Sequence, residues 1–302
     1  HPVSDRTKLH FAYGHFFQNP DFQYFYEGIS YDIGVREPLF GQAKLDAERT
    51  IAYEVGLAHQ LTPTTAFHLT AYYKDIAGLI GTRYYSAYSD DAPDRYVGYT
   101  LYINEDYANV KGFEMSMDIR PSGNFSGGMA YTYSVAKGSA SSETEQYPGS
   151  SESTRLYFLG FDKTHVFNAS GTYRIGSGKG PIIFGLKPFQ KTDYSFIVRA
   201  SSGYPYTPSG RDVGFVERNS LRRPSTYSMD LIMGKNIFTG GIGSCRVFIE
   251  VHNLTNHRNI LYVYSDTGDP DYTIGNDSIE YMRDPSNYGP PRMAQIGLEW
   301  KY

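Results

Sequence analysis

Apolar and polar residues alternate along much of this chain, most sharply near its end. From Ala294 the outward set is Ala294, Ile296, Leu298, Trp300 and Tyr302, and the opposite set is Gln295, Gly297, Glu299 and Lys301. A period of two marks a strand with one apolar and one polar face. The same period recurs upstream. Thr7 to Phe17 sets Leu9, Phe11 and Tyr13 against Lys8, His10 and Ala12. Arg49 to Leu61 sets Ile51, Tyr53, Val55, Leu57 and Leu61 against Glu54, Gly56, Ala58 and Gln60. Thr65 to Lys74, Tyr107 to Ile119, Asn124 to Val135, Thr164 to Ile175, Asp193 to Ser202, Ser225 to Gly234 and Cys245 to Leu254 bring the total to about ten strands.

The connections alternate in length. Brief turns sit at Thr62-Pro63-Thr64, at Arg120 to Gly123 and near Phe238 to Gly243, and a Gly-rich one runs from Gly176 to Pro188. Long polar stretches lie between Lys74 and about Asp106, over 137–161, from Gly203 to Pro224 and from Asn256 to Pro290. A membrane barrel has short turns on the periplasmic side and long loops outside. A soluble sandwich has no reason to sort its loops this way. The expectation is therefore an all-β fold, an antiparallel transmembrane β-barrel. Ile296, Leu298, Trp300 and Tyr302 mark its closing strand, and Trp300 and Tyr302 sit in the interfacial girdle.

Charge placement agrees with that register. Lys8, Glu54, Lys74, Glu114, Asp118, Arg199, Asp230, Glu250 and Glu299 all fall off the apolar faces. An Arg or Lys facing lipid at mid-bilayer costs about 2–4 kcal/mol. The polar faces also carry Ser, Thr, Gly and Gln, which suits a wet lumen.

Composition narrows the picture. Among 302 residues, 29 are Tyr and 16% are aromatic. A net charge of −4 gives no polycationic surface, so no nucleic-acid partner is expected. Mean hydropathy is −0.46 and no apolar run approaches the ~18 residues of a helical span. Strands that hide their apolar half by alternation escape that test. Cys245 is the single cysteine, so no intramolecular disulfide or cysteine metal site is expected. The chain begins at His1 without Met or a signal-peptide pattern, as expected where a leader has been removed or a longer protein continues upstream.

Other chemistry reads as structure. Gly176-Ser177-Gly178-Lys179-Gly180 lacks the leading Gly and the Ser/Thr of a phosphate loop and reads as a turn. Asp266, Asp269, Asp271 and Asp277 match no calcium-loop spacing, and His59, His68, His165 and His252 lie on different strands, so no metal or cofactor is expected. The long loops hold Tyr84, Tyr85, Tyr88 and Tyr96, then Tyr204 and Tyr206, then Tyr264 and Tyr272. Tyr offers rigid contact area with a hydrogen-bonding tip, so these are candidate ligand contacts; the competing role is a headgroup-level girdle.

Seven stretches carry a resemblance. They are LHFAYGHFFQNP from Leu9, YEVGLAHQLTPTTAFHLTAYYKDIAGLIGT from Tyr53, NVKGFEMSMD from Asn109, DKTHVFNASGTYRI from Asp162, SGYPYTP from Ser202, VHNLTNHRN from Val251 and YGPPRMAQIGLEWKY from Tyr288. In this order they resemble the C-terminal half of a TonB-dependent outer-membrane receptor. The resemblance implies the last ten strands of a barrel of about 22, with residues 1–302 forming only barrel and the plug domain absent from this chain. It further implies residence in the bacterial outer membrane, contact with its lipid, and delivery by the barrel-assembly machinery through the C-terminal strand. The TonB complex would couple through the missing plug. Import of a scarce small-molecule or glycan substrate would follow: an iron chelate, cobalamin or an oligosaccharide. Two other readings stand beside it: a passive outer-membrane channel, and an omptin-like surface enzyme whose nearest carboxylate–His pairs are Asp5 with His10 and Asp162 with His165.

Overall fold

The structure is a computed structural model and describes residues 1–28, 38–88, 96–145, 155–209, 216–240, 243–274 and 282–301. The strands in chain order are β1 (Pro2–Ser4), β2 (Thr7–Gln18), β3 (Leu39–Phe40), β4 (Glu48–Thr62), β5 (Thr65–Tyr88), β6 (Tyr96–Ser122), β7 (Phe125–Gly138), β8 (Tyr157–Phe158), β9 (His165–Ile175), β10 (Thr192–Ser201), β11 (Pro205–Tyr206), β12 (Leu221–Arg222), β13 (Thr226–Gly240), β14 (Gly243–His252) and β15 (Met293–Lys301). One short helix, α1 (Phe22–Tyr26), follows β2.

Eleven strands form a single path, β1-β2-β4-β5-β6-β7-β9-β10-β13-β14-β15, with each neighbouring pair antiparallel. Ten of these are the long strands expected from the alternation. The sheet is an open wall: its path ends on β1 and β15 without closing on itself. Brief turns at Asp5–Arg6, Pro63–Thr64 and Gly123–Asn124 join strands at one end, and most of the long connections gather at the other; the turn expected near Phe238 to Gly243 takes in 241–242, which lie outside the described residues. Two-residue turns suit antiparallel neighbours because their twist matches that of the strands.

The apolar faces of the strands lie open. Ile296 is 77% exposed and Leu298 66%, while Gly297 and Glu299 between them are less so. Large apolar surface open to water is unfavourable, so this belt requires lipid. Its outer limit is visible as an aromatic row. Tyr13, Tyr53 and Tyr73 stand directly opposite one another on β2, β4 and β5, with ring centroids 5.1 and 6.4 Å apart. One step outward along the same face come His15, Ile51, Asp75, Asn109 and Lys137, polar or charged but for Ile51. Apolar surface thus gives way to charge across a Tyr row, as at a headgroup boundary.

One expectation fails above that boundary. Residues between Lys74 and Asp106 were expected to be a long loop, yet β5 and β6 stay paired as far as Tyr88 and Tyr96. Tyr84, Tyr85, Tyr88 and Tyr96 therefore stand on strands. The alternation is obscured because a bulge at Gly78 and an irregularity opposite it shift the faces. Gly78 has φ +74, a conformation that disfavours a side chain. Beyond the lipid both faces of the hairpin meet protein or water, so no single apolar face remains to be read.

The compact packing is also found here. The chain between β2 and β4 crosses to the far edge of the hairpin, where β3 pairs in parallel with β6. Leu45, Tyr24, Phe25 and Leu39 pack around Ile80 and Tyr102. A second cluster joins Ile76, Leu79, Ala108 and Val110 to Ala136 and Leu159.

Candidate functional site

The site is best built from the strand ends that face the long connections. Inward-facing positions on β10, β13 and β14 bring Arg199, Asp230 and His252 together. Arg199 Nη1 donates to Asp230 Oδ2 at 2.7 Å, and the Asn253 backbone N–H donates to Asp230 Oδ1 at 3.0 Å. His252 Nδ1 lies 3.8 Å from the same Asp230 oxygen, and its Nε2 lies 3.8 Å from Glu250. Arg199, Asp230 and His252 line a concavity of about 590 Å³ that also takes in Lys163, Asn168 and, from the last long connection, Pro290. A pocket of this size, with a few convergent polar groups on an apolar surround, is of the kind that holds small molecules. Further down the same face Arg246 bonds Asp193 at 2.6 Å and lies 3.8 Å from Glu299. Of the inward charges expected from the alternation, Arg199, Asp230, Glu250 and Glu299 thus have ionic partners, on the side away from lipid.

A layer of connections closes over the strand ends, and one ionic lock holds it. The buried Asp162 carboxylate accepts from the Ala136 N–H at 2.7 Å, from Thr164 Oγ1 at 3.0 Å and from Arg222 Nη2 at 2.5 Å. The Arg222 guanidinium also lies over the Phe158 ring, 4.6 Å from its centroid. Close by, Tyr157 donates to Glu145 at 3.1 Å and accepts from Arg218 at 3.2 Å. Burial pushes the Tyr157 phenol up to about 12, against the opposing pull of Arg218. These bonds tie the connection between β10 and β13 to the one between β7 and β9. The lock escaped the sequence reading because its partners are some sixty positions apart; the DKTH stretch supplied Asp162 but not Arg222.

The candidate tyrosines do not form one site. Tyr85 stacks on Tyr99 at 5.6 Å and 19°, and Phe40 meets Tyr99 edge-on at 6.3 Å. Tyr84 projects from the same hairpin, and the side chains of Tyr88 and Tyr96 lie outside the described residues. Tyr204 sits beneath the Lys163 ammonium, 4.5 Å from its ring centroid, at the edge of the concavity. Tyr206, on β11, approaches Gly268 so closely that a Cβ there would lie 2.7 Å from its hydroxyl. Tyr264 donates to the Met282 carbonyl at 3.0 Å, and Tyr272 is largely exposed. Tyr206 and Tyr264 therefore share one loop layer, Tyr204 borders the pocket, and Tyr84 and Tyr85 stand apart on the hairpin. On the closing strand, Ile296, Leu298 and Trp300 face outward as expected, and Tyr302 lies outside the described residues.

Other candidate groups have structural work. Asp162 is committed to Arg222, and His165 Nδ1 meets the Tyr131 hydroxyl at 2.8 Å, so this pair is not an acid–base dyad. Asp266 accepts from Thr273 Oγ1 and from the Ile274 N–H, and Asp269 from the Asp271 N–H. Asp277 lies outside the described residues.

Residues 2–254 match the family described as TonB dependent receptor-like, beta-barrel. No curated protein matches the chain in sequence. Solved structures do match in fold. The outer membrane transporter YddB from Escherichia coli gives a TM-score of 0.62 at 10% identity, over 98% of this chain and 39% of that one. The ferripyoverdine receptor of the outer membrane of Pseudomonas aeruginosa gives 0.59 at 13% identity, over 99% and 32%. The FrpB iron transporter from Neisseria meningitidis gives 0.55 at 14% identity, over 98% and 37%. The chain spans about a third of the length of these structures (32–39%), and at such identities the likeness is one of fold.

Proposed function

The chain belongs to the TonB-dependent receptor β-barrel family, and on that basis we propose that it is a sector of an outer-membrane receptor that imports a scarce chelated nutrient with energy relayed by TonB. The family's members are bacterial outer-membrane transporters, and the outer membrane is where this chain resides. One observation carries the functional reading. A lipid-demanding outer belt and a charged, pocketed inner face occupy opposite sides of one sheet, with the pocket beneath the long connections. Such a wall separates lipid from an aqueous path, and its outer mouth carries the groups that would receive a ligand.

In this reading residues 1–302 supply barrel wall only. The plug that TonB moves lies outside these residues. Strand β15, with Ile296, Leu298 and Trp300 outward, is the segment offered to the barrel-assembly machinery. Ferric chelates are the favoured cargo. Arg199, Lys163 and His252 supply cationic and hydrogen-bonding groups suited to an anionic chelate, and Tyr204 supplies an aromatic surface beside them. Among the structures similar in fold are a ferric-catecholate import receptor, an iron transporter and a ferripyoverdine receptor.

The test is uptake of radiolabelled ferric siderophores, cobalamin and oligosaccharides by cells carrying the full-length protein, with and without TonB. Accumulation of a ferric chelate that stops when TonB is removed is the expected result. Uptake that persists without TonB and sorts solutes by size alone would make the protein a passive channel instead.

A further inference from the structure

Among the described residues, the periplasmic end of the sheet carries two-residue turns at 5–6, 63–64 and 123–124, with one longer connection. β9 and β10 are joined by residues 176–191, and this connection is a built projection. At its root the Gly178 N–H donates to Gln190 Oε1 at 3.1 Å, and Lys187 Nζ donates to the Gly178 carbonyl at 2.5 Å. At its tip Ile183 and Leu186 exchange backbone bonds of 2.8 and 3.0 Å around Phe184 and Gly185, both at positive φ (49° and 76°). Positive φ at both central residues defines the tight turn that matches strand twist, but it is a costly conformation for Phe.

No protein contact accounts for that Phe. Phe184 is 100% exposed, with Ile182 at 67% and Leu186 at 71%. Apolar side chains raised on a strained, braced tip need an apolar medium. The surrounding charge indicates which. Residues 176–191 contain Lys179, Lys187 and Lys191 and no acidic residue. The position is equally specific: on the lipid-facing side of the strands, Tyr173 and Tyr194 stand directly opposite each other just before the connection leaves the sheet. An outward Tyr pair there sets the root at headgroup level.

We propose that residues 176–191 form a lipid-binding foot. Ile182, Phe184 and Leu186 enter the periplasmic leaflet of the membrane that the strands span, and the three lysines meet its anionic phosphate headgroups. Apolar insertion combined with basic residues is the physical recipe for interfacial anchoring. The foot would fix the height and tilt of the β9–β10 hairpin in the bilayer, a task that a two-residue turn cannot perform. The proposal rests on the membrane-spanning reading of the strands and not on what the protein transports.

The test replaces Phe184 with the photo-crosslinker p-benzoylphenylalanine in the full-length protein, in cells. Phe11, on the lipid-facing belt, serves as the positive control position, and Thr64, in a two-residue turn, as the negative. After irradiation, adducts are identified by mass spectrometry. The expected result is phospholipid adducts at positions 11 and 184 but not at 64, with anionic phospholipids over-represented at 184. Changing Lys179, Lys187 and Lys191 together to Gln should reduce the 184 adducts severalfold and leave those at 11 unchanged. Adducts of 184 with protein, or none while position 11 labels, would overturn the proposal. Lipid labelling at 184 alongside TonB-independent uptake would retain the foot and discard the transport reading.

Discussion

The belt that faces lipid and the layer above it are made of the same strands but held by opposite means. In the belt, apolar side chains point out, charges point in, and cross-strand backbone bonds carry the structure. Above the Tyr13–Tyr53–Tyr73 row, side chains bury one another around Ile80 and Leu159, and buried polar groups such as Asp162 find partners on distant connections. The difference follows the solvent. In lipid every backbone group must be paired and outward charge is expelled. In water the hairpin must exclude solvent through its own packing.

Substitutions can sharpen this contrast, from the largest expected effect to the smallest. Ile296→Arg places a charge on the lipid face and should destabilise the protein in phospholipid vesicles by about 2–4 kcal/mol. Gln295→Arg, one residue away beside Glu250 on β14, should change stability little. Urea midpoints of the two variants measure the difference, and equal losses would show that the two faces have been assigned wrongly. Asp162→Ala removes the carboxylate from Arg222 Nη2 and strands the Ala136 N–H, and should cost about 2 kcal/mol. That loss should be local. Amide exchange is expected to quicken in the connections around residues 157–164 and 203–224, with β14 and β15 unchanged. Tyr85→Ala removes the stack on Tyr99 and should cost about 1 kcal/mol, read as faster exchange in the β5–β6 hairpin above Gly78. Arg199→Ala should weaken ligand binding severalfold with little change in the urea midpoint, because its carboxylate partner Asp230 keeps the Asn253 N–H. A titration of ferric chelate against the variant decides that point.

Much of the belt was legible in the sequence because lipid imposes a period of two. At the end carrying the short turns, nine of the ten long strands were anticipated to within three residues, β13 running six residues past the expected Gly234, and the nine inward charges lie on the polar faces. Legibility stops where the lipid stops. Tyr84, Tyr85, Tyr88 and Tyr96 read as loop because the bulge at Gly78 shifts the faces and water imposes no single pattern on them. Gly176 to Pro188 read as a Gly-rich connection, with Gly176 to Gly180 as a turn. Their glycines do form turns, but the full exposure of Phe184 emerged only from the folded tip.

The sequence by itself determined the strands, their faces, the side carrying the long connections and the family resemblance. All of these follow from local alternation and ordered motifs. Tertiary structure alone decided the pairing of Asp162 with Arg222, the meeting of Arg199, Asp230 and His252, the crossing of β3 to the far edge of β6, and the separation of the candidate tyrosines. Those contacts join residues tens of positions apart. No periodic signal records them, because their energy arises only after the chain has brought them together.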